Sequence, residues 1–124
     1  MAAWCFLLFY LSSVPNLKTA QNPFWDEIIR SSLHLIFYAI LFVLFFRAIN
    51  FAKVKKNFWG PLFLTSFYGL SDEVHQILVP TRTFQWQDLA IDILGALLGS
   101  LILWQLGLRL PEKFKTLARK LLII

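Results

Sequence analysis

LAIDILGALLGSLILWQLGL, residues 89–108, is the stretch on which the fold turns. It has the length of the roughly 20 apolar residues that a helix needs to cross a hydrocarbon core about 30 Å thick. Only Asp92, Ser100 and Gln105 interrupt it. Working back from it, residues 58–79 form a second long apolar stretch that turns polar near its end, at Asp72, Glu73, His75 and Gln76. A third, 31–50, begins after Arg30, is strongest as far as Phe46 and continues more weakly beyond Arg47. The first, 2–14, is short and stops before Pro15. As a secretory signal it would lack a basic leader and a small-x-small cleavage site, so it is expected to stay as a helix. Four such stretches predict an all-α membrane protein, a four-transmembrane-helix bundle in one domain spanning residues 1–124. Beyond Pro111, Phe114, Leu117, Ala118, Leu121 and Leu122 fall at helical spacing, with Lys113, Lys115, Arg119 and Lys120 between them. That pattern predicts a C-terminal amphipathic interfacial helix over 111–124.

Composition agrees with this reading. The 124 residues are 58% hydrophobic and 15% charged, against roughly half and a quarter in soluble domains. A water-soluble core of this size has no room to hide so much apolar surface. The net charge of +5 does not indicate nucleic acid, because the basic residues flank hydrophobic runs instead of forming a face. The bilayer is the expected partner. A single cysteine, Cys5, excludes an internal disulfide.

The basic residues also set an orientation, since Lys and Arg are retained in cytoplasmic loops. Arg47, Lys53, Lys55 and Lys56 lie at or after the end of 31–50; Arg109, Lys113, Lys115, Arg119 and Lys120 follow 89–108. Only Lys18, Arg30 and Arg82 lie in the other connections. A multi-pass protein of the cytoplasmic membrane with both termini cytoplasmic is expected. The acids sort the other way: Asp26, Glu27, Asp72, Glu73, Asp88 and Asp92 fall toward the outer side and only Glu112 inside. The insertion rule does not place acids, so this cluster needs its own reason.

Asp72, Glu73 and Asp92 together would cost on the order of 8 kcal/mol at the bilayer centre, which demands partners or shallow depth. Helical spacing puts Tyr68, Asp72 and Gln76 on one face, with Glu73 turned about 100° away. Asp88, Asp92, Gly95 and Gly99 share a face of the fourth stretch, where Gly95 and Gly99 make a small-xxx-small seam for close helix packing. Arg30, His34 and Tyr38 are likewise spaced by four. Arg82 is the cation expected to meet these carboxylates or to hold a phosphate or carboxylate bidentately. The bland alternative is that Arg82 with Asp88 or Asp92 only clamps two helices. Glu73-Val74-His75 is not metal-ligand spacing, and no metal or cofactor is expected. Ser12 and Ser13 are more readily backbone-satisfying helix-end serines than nucleophiles.

These residues resemble the VanZ-like family pattern: Ser12-Ser13-Val14-Pro15; Arg30, His34 and Tyr38; Asp72-Glu73-Val74-His75-Gln76; Pro80-Thr81-Arg82; and Asp88, Asp92, Gly95 and Gly99. The chain departs from it at Thr81, where Gly is more usual, and at Asp92, where Asn is common. The resemblance implies a four-helix bacterial cytoplasmic-membrane protein, from a family named for a member associated with reduced sensitivity to the glycopeptide teicoplanin. It implies no settled reaction. Three functions compete. The first is a non-cytoplasmic site for an anionic envelope or lipid-linked ligand, formed by Arg82, Asp72, Glu73, Gln76, Asp88, Asp92, His34 and Tyr38. The second is an enzyme on lipid-linked envelope precursors with Asp72 or Glu73 as general base. The third is a structural or partner-docking protein. The oligomeric state is not readable from the sequence.

Overall fold

A computed structural model describes residues 1–15, 20–50, 57–80 and 82–109, with side chains to 105. The described residues form four helices: α1 (Ala2–Ser13), α2 (Pro23–Asn50), α3 (Trp59–Gln76) and α4 (Trp86–Arg109). The expected tail helix over 111–124 and Thr81 lie outside the described residues, as do Lys53, Lys55 and Lys56.

Two helices, α2 and Trp86–Gln105 of α4, are long and apolar enough to cross a membrane by length and composition. With 12 residues, α1 is about 18 Å long, short of a 30 Å core. With 18 residues, α3 is nearly long enough, but its polar end dilutes its hydropathy.

The helix boundaries differ from the sequence expectation for physical reasons. The second helix starts at Pro23, eight residues before Ser31, because Asn22 Oδ1 accepts the Phe24 N–H at 2.9 Å as an N-cap and proline sits at the first helical position. A hydropathy reading stops at Arg30, which the helix carries half-buried in its second turn. The third helix ends at Gln76 instead of Val79 as the chain tightens into successive turns, Leu78 N to His75 O and Val79 N to Gln76 O. The fourth opens at Trp86, not Leu89, on a cap supplied from α3. The first ends at Ser13, one residue before Val14.

Close packing is concentrated where α2 meets α4. A Cβ added at Gly95 would run into the Leu35 carbonyl oxygen, and one at Gly99 would lie 2.7 Å from that of Ala39. Leu35 and Ala39 are four apart, as are the glycines, so the two helices run parallel with their backbones in contact, as the small-residue seam predicts. Below the seam Phe42, Phe46, Ala96 and Leu103 form an apolar cluster with Phe58 and Leu62 of the α3 start. A second cluster joins Leu8 of α1 to Tyr38 and Leu41 of α2. Near the start of α1, Trp4 Nε1 donates to Phe37 O at 3.2 Å and the Tyr68 hydroxyl to Cys5 O at 2.6 Å, fastening it to α2 and α3.

Candidate functional site

The end of α1, the start of α2, the end of α3 and the start of α4 meet at one end of the bundle, and the polar residues gather there. Asp72, Glu73, Gln76, Asp88 and Asp92 are all buried, Glu73 and Asp92 completely. Charged side chains rarely occupy such positions unpaired, so their partners define what each one does.

Glu73 is a clamp. Its Oε2 accepts the Gln85 backbone N–H at 3.0 Å, and its Oε1 accepts from Gln76 Nε2 at 3.1 Å. Gln85 caps α4, since Leu89 N donates to its carbonyl, so the carboxylate sits on the helix N-terminus, where the dipole favours negative charge. Both oxygens are committed. Replacing Glu73 by glutamine puts an amide nitrogen against one of these two donors. This should cost about 1–3 kcal/mol of stability, seen as a lower thermal midpoint in detergent; an unchanged midpoint would remove Glu73 from this role.

Asp92 pairs with α2: its Oδ1 lies 2.9 Å from His34 Nδ1. The His34 ring lies nearly parallel to Tyr38, with centroids 6.2 Å apart. This contact needs Gly69, because a Cβ there would lie 3.1 Å from Asp92 Oδ2 and 3.2 Å from the Tyr38 ring. Asp88, in the first turn of α4, adds a second carboxylate beside the same N-terminus.

A partly enclosed cavity of about 270 Å³ opens beside this network. Ser12, Arg30, His34, Tyr38, Asp72 and Arg82 supply its polar lining, while Leu8, Leu11, Leu33 and Phe37 supply apolar wall. Four buried polar atoms make no hydrogen bond among the described residues: Arg30 Nε, the Tyr38 hydroxyl, Asp72 Oδ1 and Asp92 Oδ2. Each such atom costs about 1–3 kcal/mol while it stays unpaired.

The structure thus brings His34, Tyr38, Asp72 and Arg82 to one cavity and leaves Glu73, Gln76, Asp88 and Asp92 behind it as support. Arg82 does not clamp Asp88 or Asp92. Its Nη2 donates to the Val14 carbonyl at 3.0 Å, because the chain after α3 turns back over the end of α1. Tyr68, on the face it shares with Asp72 and Gln76, turns into the bundle, where its hydroxyl donates to the Cys5 carbonyl of α1 and not to the cavity. Sequence reasoning did not count Arg30 among the site residues, although its spacing to His34 and Tyr38 already put it on their face.

Ser13 and His75 meet across 62 residues, with Oγ 3.0 Å from Nε2. A serine hydroxyl has one hydrogen, and Ser13 Oγ gives it to the Phe9 carbonyl at 2.6 Å. That bond competes with any donation from Ser13 to His75, whose role in the pair depends on its tautomer. Ser12 likewise donates to Phe9 O at 3.0 Å, as helix-end serines do.

Among the described residues, no group of three or more His, Cys, Asp or Glu is placed to hold a metal ion. The family model described as VanZ/LLP1 matches residues 1–108. No curated protein and no solved structure matches the chain.

Proposed function

This chain belongs to the VanZ/LLP1 family, and on that premise we propose that it is a four-span protein of the bacterial cytoplasmic membrane that binds an anionic envelope or lipid-linked ligand at its polar end. That end faces away from the cytoplasm and both termini face it, the arrangement favoured by the Lys/Arg asymmetry. The short α1 spans by local bilayer thinning and by its flanking residues. Ligand held at the outer surface changes what a glycopeptide meets there, which lowers sensitivity to drugs such as teicoplanin.

One observation carries the reading: two arginines, Arg30 and Arg82, and an apolar wall line the same cavity. Guanidinium groups suit phosphate or carboxylate, and the wall suits hydrocarbon. Asp72 shares the cavity and sets the orientation of whatever binds.

The protein in nanodiscs, incubated with lipid-linked cell-wall precursors, should retain one lipid per site without converting it, as read by mass spectrometry. Arg82→Ala should lower retention at least tenfold. Conversion of the precursor in the wild type, lost in Asp72→Asn, would instead make the protein an enzyme. Absence of both retention and conversion would overturn the binding reading in favour of a structural or partner-docking role.

A further inference from the structure

The atoms around the cavity narrow the ligand beyond its charge. Three of the unpartnered buried atoms belong to cavity-lining residues: Arg30 Nε, the Tyr38 hydroxyl and Asp72 Oδ1. Tyr38 is 1% and Asp72 6% exposed, so bulk solvent does not serve them. They also differ in kind. An arginine Nε only donates, an ionised carboxylate oxygen only accepts, and a phenol does either. With Asp72 ionised, one ligand satisfying all three presents acceptor oxygens together with at least one N–H or O–H donor.

Arg82 adds a second guanidinium, steadied on the Val14 carbonyl through Nη2, with its other donors uncommitted to that bond. Two guanidinium groups across a small cavity suit the oxygens of a phosphate ester. A simple fatty acid carboxylate provides the acceptors but no donor for Asp72. Water would satisfy the polar atoms, yet it gains nothing from the wall of Leu8, Leu11, Leu33 and Phe37. That wall runs between α1 and α2, the helices in sparse contact with one another, where a chain can enter sideways from the bilayer. The volume, about 270 Å³, lies just below the roughly 300–1,000 Å³ of pockets that enclose drug-sized ligands. It accommodates a headgroup and the first few carbons, with the remaining chain left in the lipid.

Building on the anionic-ligand reading above, we infer that the ligand is a phosphate-ester lipid whose headgroup carries a hydroxyl or ammonium donor. Its phosphate lies between Arg30 and Arg82, its donor meets Asp72, and its chain leaves between α1 and α2. Asp72 is the specificity-determining group, separating donor-bearing headgroups from those without a donor.

The test is a lipid competition on the full chain in nanodiscs, read by native mass spectrometry. The probes are phosphatidylglycerol, phosphatidylethanolamine and phosphatidylcholine with identical chains, and inorganic phosphate as a soluble competitor. Phosphatidylglycerol and phosphatidylethanolamine should be retained roughly tenfold over phosphatidylcholine, whose headgroup has no O–H or N–H. Asp72→Leu should bring that ratio to within about twofold of unity and Asp72→Asn, which keeps one acceptor oxygen, should lower it less, while Arg30→Ala and Arg82→Ala should reduce retention of all three lipids. Equal retention of the three by the wild type, still lost in Arg82→Ala, would overturn the headgroup assignment and leave the anionic-ligand reading standing. Displacement by inorganic phosphate at concentrations equal to the lipid would overturn the lipid part of the assignment. Retention of none of the probes would overturn this headgroup assignment, while retention of the lipid-linked precursors decides the anionic-ligand reading.

Discussion

Alanine in place of Gly95 should leave little natively packed protein. The added methyl group meets the Leu35 carbonyl oxygen, a backbone atom that no side-chain rotation moves aside. The two longest helices must therefore separate. Overpacking costs about 1–3 kcal/mol where side chains can yield, and here the upper end or beyond is expected. The separation also propagates one turn toward the site, where His34 of α2 and Asp92 of α4 are held at 2.9 Å. Gly99→Ala strains the same seam against Ala39 and should behave similarly. Leu101→Ala, at a half-exposed position, should stay within about 0.5 kcal/mol of the wild type. Thermal midpoints in one detergent compare the three; a Gly95→Ala protein as stable as the wild type would contradict the close α2–α4 contact.

Removal of the His34 imidazole is the second large effect expected. Asp92 is completely buried and its Oδ2 is already unpartnered, so His34→Ala leaves both oxygens without a hydrogen bond. Breaking a buried pair in this way costs about 3–5 kcal/mol when both partners are charged and about 1–3 when neutral. The remedy should be to remove the second partner too. A His34→Ala, Asp92→Leu double variant no longer buries an orphaned carboxylate and should recover most of the lost midpoint. The two single variants would then fail to add, as expected for residues in contact. Strict additivity would mean that His34 and Asp92 act independently. Asp92→Leu also approaches Gly69, where space is tight, so its own cost is measured in the single variant.

Much of this arrangement was legible in the sequence because helices impose a fixed angle per residue. Gly95 and Gly99, four apart, announced a close helix contact, and the contact is to α2. Arg30, His34 and Tyr38, also four apart, do line one cavity, joined by Asp72 from α3. What helical spacing cannot supply is the partner across a long sequence interval. Glu73 was readable as a candidate base, yet it caps a helix that starts at Trp86, and no local signal marks a cap provided from another helix. Arg82 was expected among carboxylates because opposite charges attract; it shares the cavity with Asp72, and its hydrogen bond goes to the Val14 carbonyl at the end of α1. Ser13 and His75 are 62 residues apart and meet only through the tertiary fold. The early start of α2 was present as Asn22-Pro23, a capping signal obscured by reading hydropathy alone.

Photocrosslinking tests the central claim most directly. A phosphatidylglycerol with a diazirine on the first carbons of one chain is equilibrated with the protein in nanodiscs, illuminated, and its attachment sites mapped by peptide mass spectrometry. The account predicts labelling concentrated at Leu8 and Leu11 of α1 and Leu33 and Phe37 of α2, falling at least tenfold in an Arg30→Ala, Arg82→Ala double variant of unchanged thermal midpoint. Labelling spread over exposed positions such as Phe63, Leu97 and Leu101, and indifferent to the two arginines, would reveal only the protein's general contact with lipid and would contradict the site.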